Sequence, residues 1–219
     1  MVNILFDCPN IQDFREELKQ YFSPATRVAV VAFSFYDDYV YSAERWASVY
    51  GEGGRDYEEI TESFAAFGVP CENITFVNYF LDTNESAKSK IESADVIYFT
   101  GGLPDRMMDR IHEFDLEDVL LRHDGIVMGY SAGAVIQLDE YHLSPDADYP
   151  EFGYYEGLGY ISGFHIEVHY EHKPTQDAAI KRVLGERGGT VYVTHTRRGG
   201  IVVDGKEIRT LGEVDVYTE

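Results

Sequence analysis

The sequence predicts an α/β fold, a mostly parallel sheet covered by helices on both faces with an antiparallel C-terminal edge. Three observations carry this. Short apolar runs alternate with longer amphipathic ones as far as residue 130, the pattern of repeated strand–helix units. Residues 27–33 contain VAVVAF, a near-continuous apolar run suited to a strand buried on both faces. Beyond about residue 190 the strand-like runs follow one another without helices between them. At 219 residues the chain fits one domain, 1–219, with ample length for a single large core.

Element by element, residues 3–6 read as a first strand, and residues 11–21 set Phe14, Leu18 and Tyr21 at helical spacing. After the strand at 27–33 comes a polar, aromatic stretch, then a helix over 57–67 that Gly68 and Pro70 end. A strand at 74–77 leads to Thr83-Asn84-Glu85-Ser86, which opens a helix to about residue 93. The strand at 95–100 ends in Gly101-Gly102, helical segments fill 106–114 and 116–123, and 125–130 is the next strand. Residues 144–159 are irregular, acidic and aromatic. A strand at 164–168 and a helix at 175–184 follow, then strands at 190–193, 200–203 and 213–217, with Asp204-Gly205 as a tight hairpin turn.

Charge narrows the partners. Lys and Arg number 18 against 39 Asp and Glu, a formal charge of −21. Binding to nucleic acid or to an anionic membrane needs clustered cations, so both are excluded as expectations. No apolar run approaches the ~20 residues of a membrane-spanning helix. The first ten residues lack a basic leader and carry Asp7, so they read as a strand and the expected compartment is the cytoplasm. Cys8 and Cys71 form no CxxC and have no metal-ligand spacing; two buried thiols in a reducing cytosol are the expectation, with no metal and no cofactor. A homodimer is compatible with this composition.

The chemistry concentrates in residues 126–137, IVMGYSAGAVIQ. A short apolar strand enters Gly129-Tyr130-Ser131-Ala132-Gly133 and an apolar helical pattern follows, the G-x-S-x-G arrangement of a nucleophile elbow. Small residues two before and two after the serine allow a turn tight enough to hold its hydroxyl outward. The start of the following helix offers backbone N–H groups and a positive dipole to an oxyanion. The plainer reading is a glycine-rich turn with an incidental serine. One strand–helix unit earlier, Gly101-Gly102 would expose further N–H groups at the same sheet edge, or serve only as a βα turn.

A serine nucleophile needs a base. Of seven histidines, His112 and His123 fall in or at the end of helices, and His142 lies past the elbow helix. His169 stands at the carboxyl end of strand 164–168, where site residues gather in a parallel sheet, and is preferred. His195 follows strand 190–194 and is its rival. For the acid that orients the imidazole, Asp139, Glu140, Asp146, Asp148, Glu151 and Glu156 all lie between Ser131 and His169, and the residues alone do not choose.

TGG at 100–102, GYSAGA at 129–134 and GLGYISGFHIEVHY at 157–170 resemble peptidase family S51, the aspartyl dipeptidases (peptidase E) and cyanophycinases, in element order from about residue 3 to 195. The resemblance implies a three-layer α/β/α sandwich related to class I glutamine amidotransferases, with no cofactor. It puts the nucleophile on Ser131, the base on His169 and the acid on Asp146, with Glu151 as the alternative. It draws the oxyanion donors from Gly101, Gly102 and Ala132. The implied activity is hydrolysis of small peptides through an acyl-enzyme, with residues 146–155 as a wall over the site and Tyr130, Glu151 and Tyr155 as substrate contacts. Carboxylates in that wall would hold a substrate's α-amino group. Two departures bear on specificity: Leu103-Pro104 follow the glycine pair, and 173–177, KPTQD, contains no arginine to receive an N-terminal aspartate. The other readings are an α/β-hydrolase esterase using Ser131 with His195, and a binding protein with a vestigial site.

Overall fold

The computed structural model describes residues 1–218. In chain order the elements are β1 (Val2–Phe6), α1 (Arg15–Leu18), β2 (Val28–Val31), α2 (Ala43–Tyr50), α3 (Arg55–Ala65), β3 (Ile74–Val77), α4 (Asn84–Glu92), β4 (Val96–Phe99), α5 (Pro104–Glu113), α6 (Glu117–Leu121), β5 (Ile126–Tyr130), α7 (Ala132–Val135), β6 (Glu140–Leu143), β7 (Gly153–Glu156), β8 (His165–Tyr170), α8 (Pro174–Arg187), β9 (Thr190–Asp204) and β10 (Glu207–Thr218). The main sheet runs β10-β9-β1-β5-β4-β2-β3, with β8 beside the first half of β9. β1, β5, β4, β2 and β3 are mutually parallel, and β9 and β10 add the antiparallel edge.

The strand sequences explain the layering. β2 and β4 are buried at every position, and their alternate residues point to opposite faces. Leu5, Ala29, Val31, Ile97, Phe99 and Val127 supply one face, closed by residues of α4, α5, α6 and α7. Ile4, Val28, Val30, Val96, Tyr98 and Met128 supply the other, closed by residues of α2 and α3 and by Ile11 and Leu18. The result is the expected three-layer α/β/α sandwich. α8 packs Ile180 and Val183 on β8 and β9, in a smaller cluster with Tyr170, Val191 and Val193.

Four local expectations change. Residues 11–21 form two 3-10 turns around the single helical turn α1 rather than one helix. α2 lies within the stretch read as polar and aromatic: the Ser42 side chain accepts the Arg45 N–H to cap it, and Trp46, Val49 and Tyr50 bury at helical spacing. β7 lies within the segment read as irregular and pairs with β6, Tyr141 opposite Tyr155. The runs at 190–193 and 200–203 are one strand, β9; β10 pairs with its two ends, Thr190–Thr194 and Gly199–Asp204, and the register shifts between Gly212 and Val214 beside its polar middle at 195–198. Gly205, at φ 59°, sits in the β9–β10 turn as expected.

Candidate active site

The register of two neighbouring strands builds the centre of the site. Phe6 of β1 lies opposite Tyr130 of β5, so the next residues, Asp7 and Ser131, leave the sheet side by side. The Ser131 N–H donates to Phe6 O at 2.9 Å. Ser131 adopts φ 52° and ψ −115°, a conformation that side-chain-bearing residues rarely take, at the turn between β5 and α7. Gly129 and Gly133 are required there: a Cβ on Gly133 would stand 2.3 Å from Phe99 O, and one on Gly129 2.4 Å from Gly133 O. α7 is a single turn, so what it offers near the serine is the Ala132 N–H rather than a long helix dipole.

His169 arrives from β8, where the pairing with β9 slips between Glu167 and Tyr170. At φ 56°, its ring turns toward Ser131. Nε2 lies 2.8 Å from Ser131 Oγ, and Nδ1 lies 3.2 Å from Asp7 Oδ2. Gln176 of α8 fixes this bend, donating to His169 O at 3.0 Å and to Glu167 Oε1 at 3.1 Å and accepting the Glu171 N–H at 2.9 Å.

Asp7 is buried and well supplied with donors. Its Oδ1 accepts the His169 N–H, and its Oδ2 accepts the Arg197 N–H at 2.7 Å. Burial works to raise its pKa, but His169, by hydrogen bond and charge, and those backbone donors outweigh it and hold the carboxyl below its ordinary value. Burial likewise works to lower the pKa of His169, and hydrogen bonds and charge from Asp7, with Cys8 adding to them, raise it to about 10.

Ser131, Ala132, Gly102 and His169 open into a cavity of about 630 Å³. Among the described residues, the backbone N–H groups of Gly102 and Ala132 have no hydrogen-bond acceptor within the chain. Gly102 has φ 137°, and a Cβ there would meet Ser34 O at 2.2 Å. Below the cavity, Glu167 is buried and accepts from Ser144 at 2.7 Å and pairs with His142 Nε2 at 2.8 Å. The turn at 145–149 forms one wall, tied down where Tyr36 donates to Asp148 at 2.7 Å and Tyr149 donates to Asp105.

The geometry revises several expected roles. The carboxylate on His169 is Asp7; Asp146 lines the cavity but spends Oδ1 on the N–H groups of Asp148 and Tyr149 in its own turn. Glu151 is exposed and outside the cavity wall. Tyr130 packs against Tyr98 and over Gly101, on the opposite side of its strand end, and Tyr155 stacks on Tyr141. Neither lines the cavity, and nor does Gly101. The nitrogen on Ser131 Oγ belongs to His169, while His195, the rival base, pairs with Asp215 of β10 at 2.8 Å and does not line the cavity. Cys8 is half-buried and Cys71 exposed, where two buried thiols were expected. Asp7 lies outside the interval between Ser131 and His169 that holds the candidate acids of the sequence. The signal was present: Asp7 stands at the carboxyl end of a strand, the placement that selected His169.

Comparison with known proteins agrees with the fold. The model of peptidase family S51 matches residues 46–211. A crystal structure of a Listeria monocytogenes EGD-e protein assigned as a peptidase E shares the fold at TM-score 0.65 and 18% identity, covering 97% of this chain and 98% of that one. A peptidase from an acI-B1 Actinobacterium does so at TM-score 0.58 and 15% identity, covering 99% and 89%. No curated protein matches this chain. No helix among the described residues is long and apolar enough to cross a membrane.

Proposed function

We propose that this chain, which belongs to peptidase family S51 and is a serine peptidase, is an exopeptidase for small peptides with Ser131 as nucleophile, His169 as general base and Asp7 as the orienting carboxylate. The observation that carries the assignment is the continuous contact from Ser131 Oγ through the two nitrogens of His169 to Asp7, opening into a single cavity. Neutral His169 takes the hydroxyl proton on Nε2 as Oγ attacks the peptide carbonyl. The unpartnered N–H groups of Gly102 and Ala132 receive the oxyanion. Nε2 then returns the proton to the leaving amine, and water, activated the same way, releases the acyl group and regenerates Ser131. Asp7 keeps Nδ1 protonated, so that Nε2 is the lone-pair nitrogen facing the serine, and stabilises the imidazolium that forms.

The cavity supports a small substrate with a positive end. Its volume falls within the range of small-ligand sites. Asp146, Asp148 and Glu171 lie on its walls, and Lys173, the one lysine or arginine there among the described residues, is 2.7 Å from Glu171. A free α-amino group suits this lining better than an aspartate side chain does. A panel of di- and tripeptides, free and N-acetylated, tests the reading. Free peptides should be cleaved by the wild type, acetylation should slow cleavage at least about tenfold, equivalent to ~1.4 kcal/mol, and Ser131→Ala should abolish it. Equal cleavage by Ser131→Ala would overturn it.

A further inference from the structure

Cys8 follows Asp7 directly, and its Sγ lies 3.3 Å from Asp7 Oδ2. Asp7, Cys8 and His169 thus bring a carboxylate oxygen, a sulfur and an imidazole nitrogen within 4.8 Å of one another. A tetrahedral zinc ion with bonds of about 2.0–2.3 Å sets its ligands roughly 3.3–3.6 Å apart. The 3.2 Å from His169 Nδ1 to Asp7 Oδ2 and the 3.3 Å from Oδ2 to Sγ need only small outward shifts to match. The donors also suit the ion: one thiolate, one carboxylate and one neutral imidazole cancel its two charges. Access exists, since the His169 side chain is 44% exposed and Cys8 is half-buried.

We propose that Asp7, Cys8 and His169 form an inhibitory zinc site at the back of the catalytic histidine. Zinc takes the lone pair of Nδ1 and displaces the proton there. Cys8 gives its thiol proton to solvent, and water completes the tetrahedron. The imidazole then carries its one proton on Nε2, which donates to Ser131 Oγ and no longer accepts from it. The base is blocked without any group entering the substrate cavity. The inhibitory half rests on Ser131 and His169 acting as nucleophile and base; the binding half does not.

The test uses the whole protein, apo and with one equivalent of Zn²⁺ or Co²⁺. Cobalt should give a tetrahedral spectrum with a thiolate-to-metal charge-transfer absorption, which Cys8→Ser loses and Cys71→Ser keeps. Zinc should slow labelling of Ser131 by a phosphonate ester about 10²-fold or more in the wild type, the contribution of a general base. In Cys8→Ser the ratio of labelling with and without zinc should stay near one. Absence of the charge-transfer absorption in the wild type, or its persistence in Cys8→Ser, would overturn the site. Labelling indifferent to bound zinc would overturn the inhibition. A protein that binds cobalt as described yet is never labelled without metal would refute the peptidase assignment of Ser131 and leave the metal site standing.

Discussion

His169 sits between two opposed effects, burial favouring the neutral ring and Asp7 favouring the charged one, and Asp7 prevails. A ring with its pKa raised to about 10 is imidazolium at neutral pH, so the base form, and with it labelling or turnover at Ser131, should increase as pH rises through the alkaline range. Asp7→Asn removes the opposing charge while leaving burial in place, so its residual rate should reach its plateau at lower pH. A pH–rate profile of kcat/KM checks this; a wild-type plateau already complete at pH 6 would contradict it. The pair also stabilises the fold. The gain from His169 is whole below its ordinary 6.5 and is lost as pH rises toward about 10. The gain from Asp7 is whole above its ordinary 3.8 and is lost in acid. At this scale Ser131 and His169 were legible because a tight turn and a strand end each leave a local mark. Asp7 was not singled out, because its partner is 162 residues away and only strand pairing brings the two together.

Among the elements, the β5–α7 turn shows how tertiary contact overrides propensity. In an exposed helix, replacing glycine by alanine gains about 1 kcal/mol. At Gly133 the added methyl would meet the β4 backbone at Phe99, and overpacking of this kind costs roughly 1–3 kcal/mol. Gly133→Ala should therefore lower Tm by roughly 2–10 °C for a chain of this size. Thermal unfolding followed by circular dichroism would show it, and a raised Tm would refute the close approach of α7 to β4. Buried strands such as β2 and β4 were readable because both faces are apolar. α2 and β7 were obscured because each keeps one polar side toward solvent and carries tyrosines that fit either structure. The long β9 reads as two strands because its middle, residues 195–198, is polar, half-buried or exposed, and lies where the β10 register shifts.

Over the whole molecule the charge of −21 gives the acidic cavity a long-range counterpart. Peptides with a net positive charge should be captured faster than neutral ones, and their kcat/KM should fall as salt rises from low to physiological levels and beyond. Stopped or continuous assays across an ionic-strength series would test this; salt-independent rates for cationic peptides would contradict it. The layering of the sheet was legible from the order of its strands, but the site was legible only in part. It draws Asp7 from β1's end, Ser131 from β5's and His169 from β8, and the crossings that unite them leave no spacing in the sequence. The central claim is that Asp7, and not Asp146, completes the site. The rate at which a phosphonate ester labels Ser131, followed by intact mass in folded wild type, Asp7→Asn and Asp146→Asn, tests it most directly. The account predicts a loss of about 10³–10⁴-fold for Asp7→Asn, as for an orienting carboxylate, and a change within roughly threefold for Asp146→Asn. Wild-type labelling of Asp7→Asn together with a collapse in Asp146→Asn would contradict it.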